Sequence, residues 1–437
     1  MIGLTLAASD YSLLTDLYQL TMAATYVGED LAWTPASFEL SVRRLPRGCT
    51  YLVAMGLAQV LEYLQQVHFT PEQIDYLKSL AVFERAPAAF WTLLSQSRFQ
   101  GNVWAVPEGT VVFAQEPLLR IEAPLWQAQW LETCLLNIVN YQTLVATRAS
   151  RLRQLVGEQV ALLEFGTRRA FSPQASLWAA RSALAVGFTA TSNVLAAQQL
   201  GVAPTGTMAH SLVMAIATLV GSEQDAFTVF LRYYPEGALL VDTYDTLAAV
   251  AQLADRQAAG EIVVKAVRID SGDLLTLSQK IRQLLPQTTI IASGDLDEAE
   301  IRRLQAGGAC IDVYGIGTKL VTGDPVNGVY KLVEINGQGV MKTSRGKMTL
   351  PGRKQIYRRP SGDCLALESE ENVWGKPLLE LVMKEGRPLF PPASLETIRD
   401  RHRASLAELP ETLLEMPQPV VYSPALEALI QQLRHHP

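Results

Sequence analysis

The sequence predicts an α/β protein in which an irregular (β/α) barrel is combined with a second, α+β domain. Between residues 149 and 328, short apolar runs alternate with helical patterns, which is typical of parallel strands covered by helices. The flanking parts mix short strand signals with helices. We expect an N-terminal α+β domain (1–148), a barrel domain (149–328) and a C-terminal segment (329–437) that packs back on the first domain.

Six apolar runs are the expected strands of the barrel. They are Val160–Leu163, Ala183–Val186, Ala238–Val241, Ile262–Ile269, Thr288–Ala292 and Ile311–Tyr314. Polar residues follow most of these runs, and a barrel builds its active site at the carboxyl ends of its strands. An open, doubly wound sheet would show the same alternation. The number of runs favours the barrel, and we expect the active site in this domain.

The two ends of the chain account for the α+β domain. Helical patterns run from Leu13 to Tyr26 and from Leu125 to Arg148. An Asn-Gly turn between Val329–Ile335 and Val340–Thr343 predicts a hairpin. Further strand-like stretches are Ser37–Arg43, Val103–Val106, Thr110–Phe113 and Leu118–Ile121.

Composition indicates a well-packed globular protein. The 437 residues are 49% hydrophobic and 18% charged, which excludes a disordered chain. The 37 Lys and Arg residues against 43 Asp and Glu residues give a net charge of −6, so no nucleic-acid partner is expected. The cysteines lie far apart without a C-x-x-C pair, which suits free thiols in a reducing compartment. They are Cys49, Cys134, Cys310 and Cys364.

Two features bear on location. No Lys or Arg precedes Arg43, so neither a secretory signal nor a mitochondrial presequence is expected. The segment Ser182–Ser222 is uncharged apart from His210, but polar residues, glycines and a proline interrupt it before about 20 apolar residues accumulate. We interpret it as the buried interior of a soluble protein, expect no membrane partner and place the protein in the cytoplasm.

A Ser-Gly-Asp sequence occurs twice, each time between an expected strand and an expected helix. The copies are Ser271-Gly272-Asp273 and Ser293-Gly294-Asp295, and Gly315–Lys319 forms a related third turn. Glycine lets a ligand approach backbone amides, and a helix N-terminus favours phosphate. Asp273 and Asp295 are expected N-caps. Three such turns indicate phosphate binding, whereas one alone would be an ordinary connection.

Four basic or nucleophilic residues are further candidates for the site. His210 is either a core histidine or a base or nucleophile at a helix start. Arg168 and Arg169 follow a strand, where guanidinium groups bind phosphate or carboxylate. Arg268 within an apolar strand requires an anionic partner, either Asp270 or a ligand carboxylate. Walker, Rossmann, zincin and nucleophile-elbow motifs are absent from the sequence.

Seven motifs, in order between residues 11 and 359, resemble those of the nicotinate phosphoribosyltransferases. They are Leu14–Met22, Glu164–Ala170, Gly206–Ser211, Val267–Leu274, Gly315–Thr318, Gly328–Val333 and Leu350–Lys354. The sequence departs from the family pattern at Ser41 and Val42, where aromatic residues are usual, and at Cys49 and Thr50. These departures affect the expected contacts of the first domain.

The resemblance implies an ATP-dependent enzyme that forms nicotinate mononucleotide and pyrophosphate from nicotinate and phosphoribosyl pyrophosphate, as the first step of NAD salvage from nicotinate. It further implies an irregular barrel with a domain built from both chain ends, Mg²⁺ as cofactor, ATP as co-substrate, and a homodimer with shared active sites. The metal ligands are not implied.

The resemblance also implies residue roles. His210 corresponds to the histidine that ATP phosphorylates, and Arg268 and Asp270 are the other expected catalytic residues. The expected nicotinate-binding residues are Tyr18, Thr207, Arg268 and Arg168, with Tyr18 serving the neighbouring subunit. The expected phosphoribosyl pyrophosphate contacts are Thr318, Ser271, Gly272, Gly294 and Gly317.

Other functions remain open at this point. A nicotinamide or quinolinate phosphoribosyltransferase is the nearest alternative, although a neutral amide would not require Arg268 in the same way. An aldolase-type barrel would use Lys265 or Lys319 as a Schiff base. The basic stretch 329–359, with eight cations and one anion, suggests a nucleic-acid binder, but Tyr330 and Tyr357 are its only aromatic residues.

Overall fold

The computed structural model describes residues 4–344, 347–370, 375–410, 416 and 420–435. The chain divides into two units. One combines Met1–Leu144 with Asp324–Pro437, and the other is Val145–Gly323. The functional residues expected in the barrel domain all lie in the second unit, whereas Tyr18 lies in the first.

The N-terminal part contains helices and short strands. The helices are α1 (Leu17–Gly28), α2 (Leu57–Gln66), α3 (Pro71–Lys78), α4 (Ala88–Ser95), α5 (Leu125–Trp130) and α6 (Glu132–Val156), with 3-10 helices at Ala8–Ser12 and Ala81–Phe83. The strands are β1 (Pro35–Val42), β2 (Leu52–Val53), β3 (Asn102–Ala105), β4 (Val111–Val112) and β5 (Pro117–Pro124). The expected helix Leu125–Arg148 is therefore two helices with a break at Leu131.

The second unit alternates strands and helices. Its strands are β6 (Ala161–Glu164), β7 (Ala190–Thr191), β8 (Leu239–Leu240), β9 (Ala266–Ile269), β10 (Thr289–Ala292) and β11 (Val313–Ile316). Its helices are α7 (Pro173–Ala185), α8 (Val194–Leu200), α9 (His210–Val220), α10 (Glu223–Tyr233), α11 (Thr246–Ala258), α12 (Leu274–Leu284), α13 (Glu298–Ala306) and α14 (Thr318–Val321).

The strands of the second unit form one parallel sheet in the order β7-β6-β11-β10-β9-β8. Val267, Ile269, Ile290 and Ala292 on the central strands are fully buried. Burying each large aliphatic side chain contributes about 1.5–3 kcal/mol to stability. The predicted parallel sheet is confirmed. Since β7 and β8 are its edges, closure into a barrel stays a prediction.

One predicted strand is wrong. Ala183–Val186 forms the end of α7 and the residue after it, and the edge strand is β7, a few residues further on. Ala179, Ala180 and Ala183 are fully buried on this helix. A short apolar run from a buried helix cannot be distinguished from a buried strand by its periodicity.

The C-terminal part completes the first unit. It contains β12 (Gly328–Ile335), β13 (Gln338–Gly339), β14 (Lys354–Arg358), β15 (Cys364–Leu367), β16 (Lys376–Pro377), β17 (Glu380–Lys384), β18 (Arg387–Pro388), α15 (Leu395–Ala407), β19 (Val421–Tyr422) and α16 (Pro424–His435). The main sheet is antiparallel, with the order β13-β12-β1-β5-β3-β17-β18. Strands from both ends of the chain thus share one sheet. A smaller sheet has the order β16-β14-β15-β19, and β2 pairs with β4.

The predicted Asn-Gly hairpin is confirmed. Ile335 pairs with Gln338, and the two turn residues, Asn336 and Gly337, have positive φ angles of 46° and 74°. This is the backbone conformation that a two-residue hairpin turn requires. The expected position of the second strand, Val340–Thr343, is wrong, because pairing begins directly after the two-residue turn and ends at Gly339.

Candidate functional site

The candidate site lies along one edge of the parallel sheet. Strands β6, β11, β10, β9 and β8 are neighbours in this order and run in the same direction, so their carboxyl ends meet at this edge. The two Ser-Gly-Asp turns follow β9 and β10, and the third Gly-rich turn follows β11. Apart from His210, which begins α9, the expected catalytic and phosphate-binding residues therefore come from adjacent strand ends.

Hydrogen bonds connect three of these strand ends. Ser293 Oγ, after β10, donates to Asp270 Oδ1, after β9, at 2.5 Å. The Asp270 backbone N–H and Ser271 Oγ both donate to Asp242 Oδ2, after β8, at 3.1 and 2.5 Å. The carboxylates of Asp270 and Asp242 are thereby fixed in position at the edge of the sheet.

His210 is placed beside Asp242. The histidine is the first residue of α9, and its Nδ1 is hydrogen-bonded to Thr243 Oγ1 at 3.1 Å. Its Nε2 lies 3.9 Å from Asp242 Oδ1. The His210 side chain is 40% exposed, whereas that of Asp242 is 2% exposed. His210 is therefore an accessible histidine next to a buried carboxylate, and the interpretation as a core histidine is wrong.

Arg268 joins the segment before His210 to the sheet. Its Nη2 donates to the carbonyl oxygen of Met208 at 3.3 Å, and its buried Nε has no hydrogen-bond partner among the described residues. Burial lowers the pKa of the guanidinium, while Asp270 and Asp242 act in the opposite direction. Arg268 thus has the anionic neighbours that the sequence requires, and it retains a donor for a ligand.

Thr207 and Arg168 also belong to this region. Thr207 Oγ1 donates to the carbonyl oxygen of Met208, the acceptor of Arg268, at 3.2 Å. The exposed Arg168 lies near enough to Arg268 for its charge to lower the pKa of that side chain. Both residues accordingly lie close to Arg268.

Glycines permit close approach between neighbouring turns. Gly294 has a φ of 92°, and a Cβ atom at this position would overlap the carbonyl oxygen of Asp270. Gly272 also has a positive φ, 80°. A Cβ atom on Gly317 would lie 3.0 Å from the carbonyl oxygen of Phe165, and Thr318 begins α14 directly afterwards. Close packing and positive φ angles therefore favour glycine at these turns.

One expected helix cap is wrong. Asp273 is the N-cap of α12 as expected, but α13 is capped by Asp297, whose side chain accepts the N–H of Glu300 at 2.9 Å. Asp295 instead has a positive φ of 48° and is exposed. The second turn is therefore longer than the first, and Asp295 has no capping role.

Sequence reasoning placed Glu164 and Asp242 after strands but assigned no role to them, and it did not identify Thr243 or Phe165. Asp242 and Thr243 contact His210, and their only sequence signal is their place after the apolar run of β8. Buried Glu164 accepts hydrogen bonds from Gly166 N–H and Thr191 Oγ1, and burial raises its pKa. Phe165 lies against Gly315, where a Cβ atom would overlap its ring. No spacing rule identifies these contacts.

Tyr18 and the uncharged segment differ from the strand-end residues. Tyr18 lies on α1 of the first unit, is 48% exposed and donates to Glu132 Oε2 at 3.1 Å.

Much of α9 is exposed, including Met214, Leu219 and Val220, so the interpretation of Ser182–Ser222 as buried interior is wrong for this helix. Among the described residues, no single helix is long and apolar enough to cross a membrane. The pair α9 and α10, bent by 111°, passes that test only by length and composition.

Comparisons with known proteins agree with this geometry. Residues 13–140 match the profile of the nicotinate phosphoribosyltransferase N-terminal domain, and residues 160–356 match that of the nicotinate phosphoribosyltransferase family. A nicotinate phosphoribosyltransferase of Mycobacterium tuberculosis is 39% identical over 97% of this chain and 94% of its own. That of Bacillus subtilis is 39% identical over 94% and 92%. The crystal structure of human nicotinic acid phosphoribosyltransferase covers 96% of this chain and 99% of its own, with a TM-score of 0.82 and 31% identity. The chain belongs to the nicotinate phosphoribosyltransferase family.

Proposed function

We propose that the protein forms nicotinate mononucleotide and pyrophosphate from nicotinate and phosphoribosyl pyrophosphate, with coupled ATP hydrolysis. The observation that carries this proposal is the set of hydrogen bonds that joins Ser293, Asp270, Ser271 and Asp242 beside His210 and Arg268. The Gly-rich turns, a guanidinium and a histidine thus lie along one edge of the sheet, which supports a site for a phosphorylated substrate.

Nicotinate would bind through its carboxylate. Arg268 has an unused donor and Thr207 a hydroxyl next to it, and a charge-assisted hydrogen bond to a carboxylate is strong. Arg168 adds a second positive charge. Tyr18, with its exposed ring in the other unit, would stack on the pyridine ring in the site of the partner subunit.

Phosphoribosyl pyrophosphate would bind at the Gly-rich turns. Backbone amides at Ser271-Gly272, Gly294 and Gly317-Thr318 suit its phosphate groups, since these turns precede helices. In the reaction, the pyridine nitrogen forms a bond to the anomeric carbon while the bond from that carbon to the pyrophosphate oxygen breaks. The carboxylate of Asp270 would stabilise the positive charge that develops on the sugar.

His210 would be the residue that ATP phosphorylates. Its ring is exposed, its Nδ1 is held by Thr243, and Asp242 lies beside Nε2. A phosphoryl group here would place a dianion next to the phosphate-binding turns. ATP hydrolysis would then be coupled to phosphoribosyl transfer, because the charge of the phosphoryl group alters how the turns bind phosphoribosyl pyrophosphate.

Mg²⁺ would be shared between protein and substrate. The described part of the chain contains no group of three or more His, Cys, Asp or Glu side chains that could hold a metal ion. Mg²⁺ commonly binds one or two carboxylates together with substrate phosphates. Asp242 fits this role, because its buried Oδ1 has no hydrogen-bond partner within the described chain. The ion would neutralise charge on the departing pyrophosphate.

The barrel and the dimer are also part of this proposal. The first strand of the sheet, β6, lies between β7 and the last strand, β11, which is the pairing that a closed barrel requires. The exposed apolar residues of α9 would be covered in a homodimer with shared active sites. We place the enzyme in the cytoplasm, without nucleic-acid or membrane partners.

Two alternatives lose support from particular contacts. Four of the eight cations of the basic stretch pair with carboxylates, which leaves these four less suited to binding a nucleic-acid backbone. The pairs are Lys331–Glu132, Arg353–Glu334, Lys354–Glu39 and Arg358–Asp363. Of the two lysines considered for a Schiff base, Lys265 precedes β9 and so lies at the opposite end of the strand from the site. Lys319 follows β11 at the same edge as the site, and borohydride trapping tests whether it forms a Schiff base.

A comparison of substrates tests the proposal. Initial rates are measured with phosphoribosyl pyrophosphate and either nicotinate, nicotinamide or quinolinate, and the product is identified by mass. We expect the highest kcat/KM for nicotinate. A higher value for nicotinamide or quinolinate would favour the alternative phosphoribosyltransferases instead.

A further inference from the structure

Glu132 occupies a defined position at the start of α6. Its Oε2 accepts hydrogen bonds from Tyr18 Oη at 3.1 Å and from Gln19 Nε2 at 2.8 Å, both on α1. Its Oε1 is paired with Lys331 Nζ on β12 at 2.8 Å. The Glu132 side chain is 11% exposed. Three donors from two elements thus hold one buried carboxylate, and one of them is the phenol of Tyr18.

We propose that Glu132 is a positioning residue that holds the Tyr18 ring in the orientation needed to cover the pyridine ring of nicotinate. This inference rests on the proposed function, because Tyr18 reaches the substrate only in that proposal. In this inference Glu132 affects nicotinate binding through Tyr18 and does not contact the substrate itself.

The contacts explain why the carboxylate can orient the ring. Lys331 and Gln19 bind different oxygens of Glu132, so the carboxylate plane cannot rotate freely. Burial and then Glu132 raise the pKa of Tyr18 to about 12, so the phenol is protonated at neutral pH and donates a hydrogen bond to Glu132. The hydroxyl end of the ring is thereby anchored while half of the side chain stays exposed. A preorganised ring loses less freedom when it binds a ligand.

A second contact joins the starts of α1 and α6 independently of Glu132. Thr133 Oγ1 donates to Asp16 Oδ2 at 2.7 Å, and the Asp16 N–H donates to Thr133 Oγ1 at 3.2 Å. The start of α1 therefore remains attached to the start of α6 when Glu132 is replaced. For this reason a change in Glu132 can be tested without separating the two helices.

The test is a double-mutant cycle with Glu132→Gln, Tyr18→Phe and the combined variant. Loss of a hydrogen bond to a charged group predicts that each single change raises KM for nicotinate about tenfold, with kcat changed less than twofold. The combined variant should show the same KM as the single variants, because both changes remove one interaction. KM for phosphoribosyl pyrophosphate should stay within about twofold. The control Glu334→Gln, on β12 and paired with Arg353 at 3.1 Å, should leave KM for nicotinate unchanged.

The outcomes separate this inference from the proposed function. If the wild-type protein converts nicotinate but Glu132→Gln lowers only thermal stability, or if the effects of the two single changes multiply, the positioning role is wrong and the function stands. If the wild-type protein does not convert nicotinate, the proposed function itself fails. Should Glu132→Gln not fold, Lys331→Gln replaces it. We then expect KM for nicotinate to rise by about threefold, because Glu132 would lose one of the contacts that orient it and its hydrogen bond with Tyr18 would be weakened but not lost. An unchanged KM overturns the inference.

Discussion

Ser293 Oγ donates a hydrogen bond to Asp270 Oδ1 at 2.5 Å, and this contact gives the repeated Ser-Gly-Asp sequence a structural meaning. Ser271, in the other copy, donates in the same way to Asp242. In each case the serine after one strand holds the aspartate after the neighbouring strand. The repeat therefore aligns two carboxylates along the edge of the sheet, in addition to forming two similar turns.

Gly294→Ala tests how closely these turns must approach. We expect loss of activity and a decrease in the free energy of unfolding, because Gly294 has a φ of 92° and a Cβ atom would overlap the carbonyl oxygen of Asp270. The matched control is Gly260→Ala, because Gly260 has a φ of 74° but, apart from its two chain neighbours, no described residue has an atom within 4 Å of the added Cβ. The control should lose about 1–2 kcal/mol from backbone conformation alone. Gly294→Ala should lose a further 1–3 kcal/mol or so. Equal losses in denaturant unfolding would show that the close approach is unimportant.

Arg268→Met tests recognition of the substrate carboxylate. A hydrogen bond to a charged group contributes about 1.5–3 kcal/mol, so KM for nicotinate should rise roughly 10- to 100-fold. KM for nicotinamide, which carries no charge, should change much less. Arg256→Met, on α11 and paired with Glu261, is the control in the same unit and should leave both values unchanged. A similar change for both substrates would assign Arg268 a structural role instead.

His210→Ala tests the coupling to ATP. We expect the variant to lose both the stimulation of turnover by ATP and the acid-labile incorporation of the γ-phosphate of ATP into the protein. His68→Ala serves as the control, because His68 lies in the first unit and its Nδ1 is hydrogen-bonded to the carbonyl oxygen of Gln66. Full ATP stimulation in His210→Ala would contradict the proposed phosphohistidine.

Glu223 predicts a pH dependence of stability. Burial, followed by the charges of Asp242 and Asp245, raises its pKa from 4.5 to about 7. The folded protein therefore binds the proton of the Glu223 carboxyl more tightly than the unfolded chain does. The stability that this protonation adds is fully present below pH 4.5 and is lost as the pH rises towards 7.

The variant Glu223→Gln removes this titration. Its melting temperature should exceed that of the wild type at pH 8, and the two should be similar at pH 5. Glu261→Gln, at the surface, should show no such difference. A melting temperature of Glu223→Gln that is unchanged at pH 8 would show that the ionised carboxylate is not destabilising.

Local patterns predicted much of the fold. Apolar runs identified β6, β8, β9, β10 and β11, and Asn336-Gly337 identified the hairpin, because these features depend on neighbours in the sequence. The run Ala183–Val186 was misassigned since a buried helix and a buried strand are equally apolar. The start of α9 at His210 and the exposure of its apolar residues depend on how this helix packs against the rest of the fold. The periodicity of the sequence does not encode that packing.

The candidate site was predicted less completely. Motifs named Arg268, Asp270, Ser271 and Gly294, which lie at adjacent strand ends. Asp242 was not among the expected site residues, although it accepts from both Asp270 and Ser271 and lies beside His210. Contacts between residues about 30 positions apart follow from strand order, and strand order is known only from the structure.

The most direct test of the account follows the conversion of carboxyl-labelled nicotinate in the presence of phosphoribosyl pyrophosphate, with and without ATP. We predict a labelled product with the mass of nicotinate mononucleotide, formed with one equivalent of pyrophosphate and faster when ATP is present. Label that remains in nicotinate under both conditions, with the protein folded, would contradict the assignment of a phosphoribosyl-transfer site to this edge of the sheet.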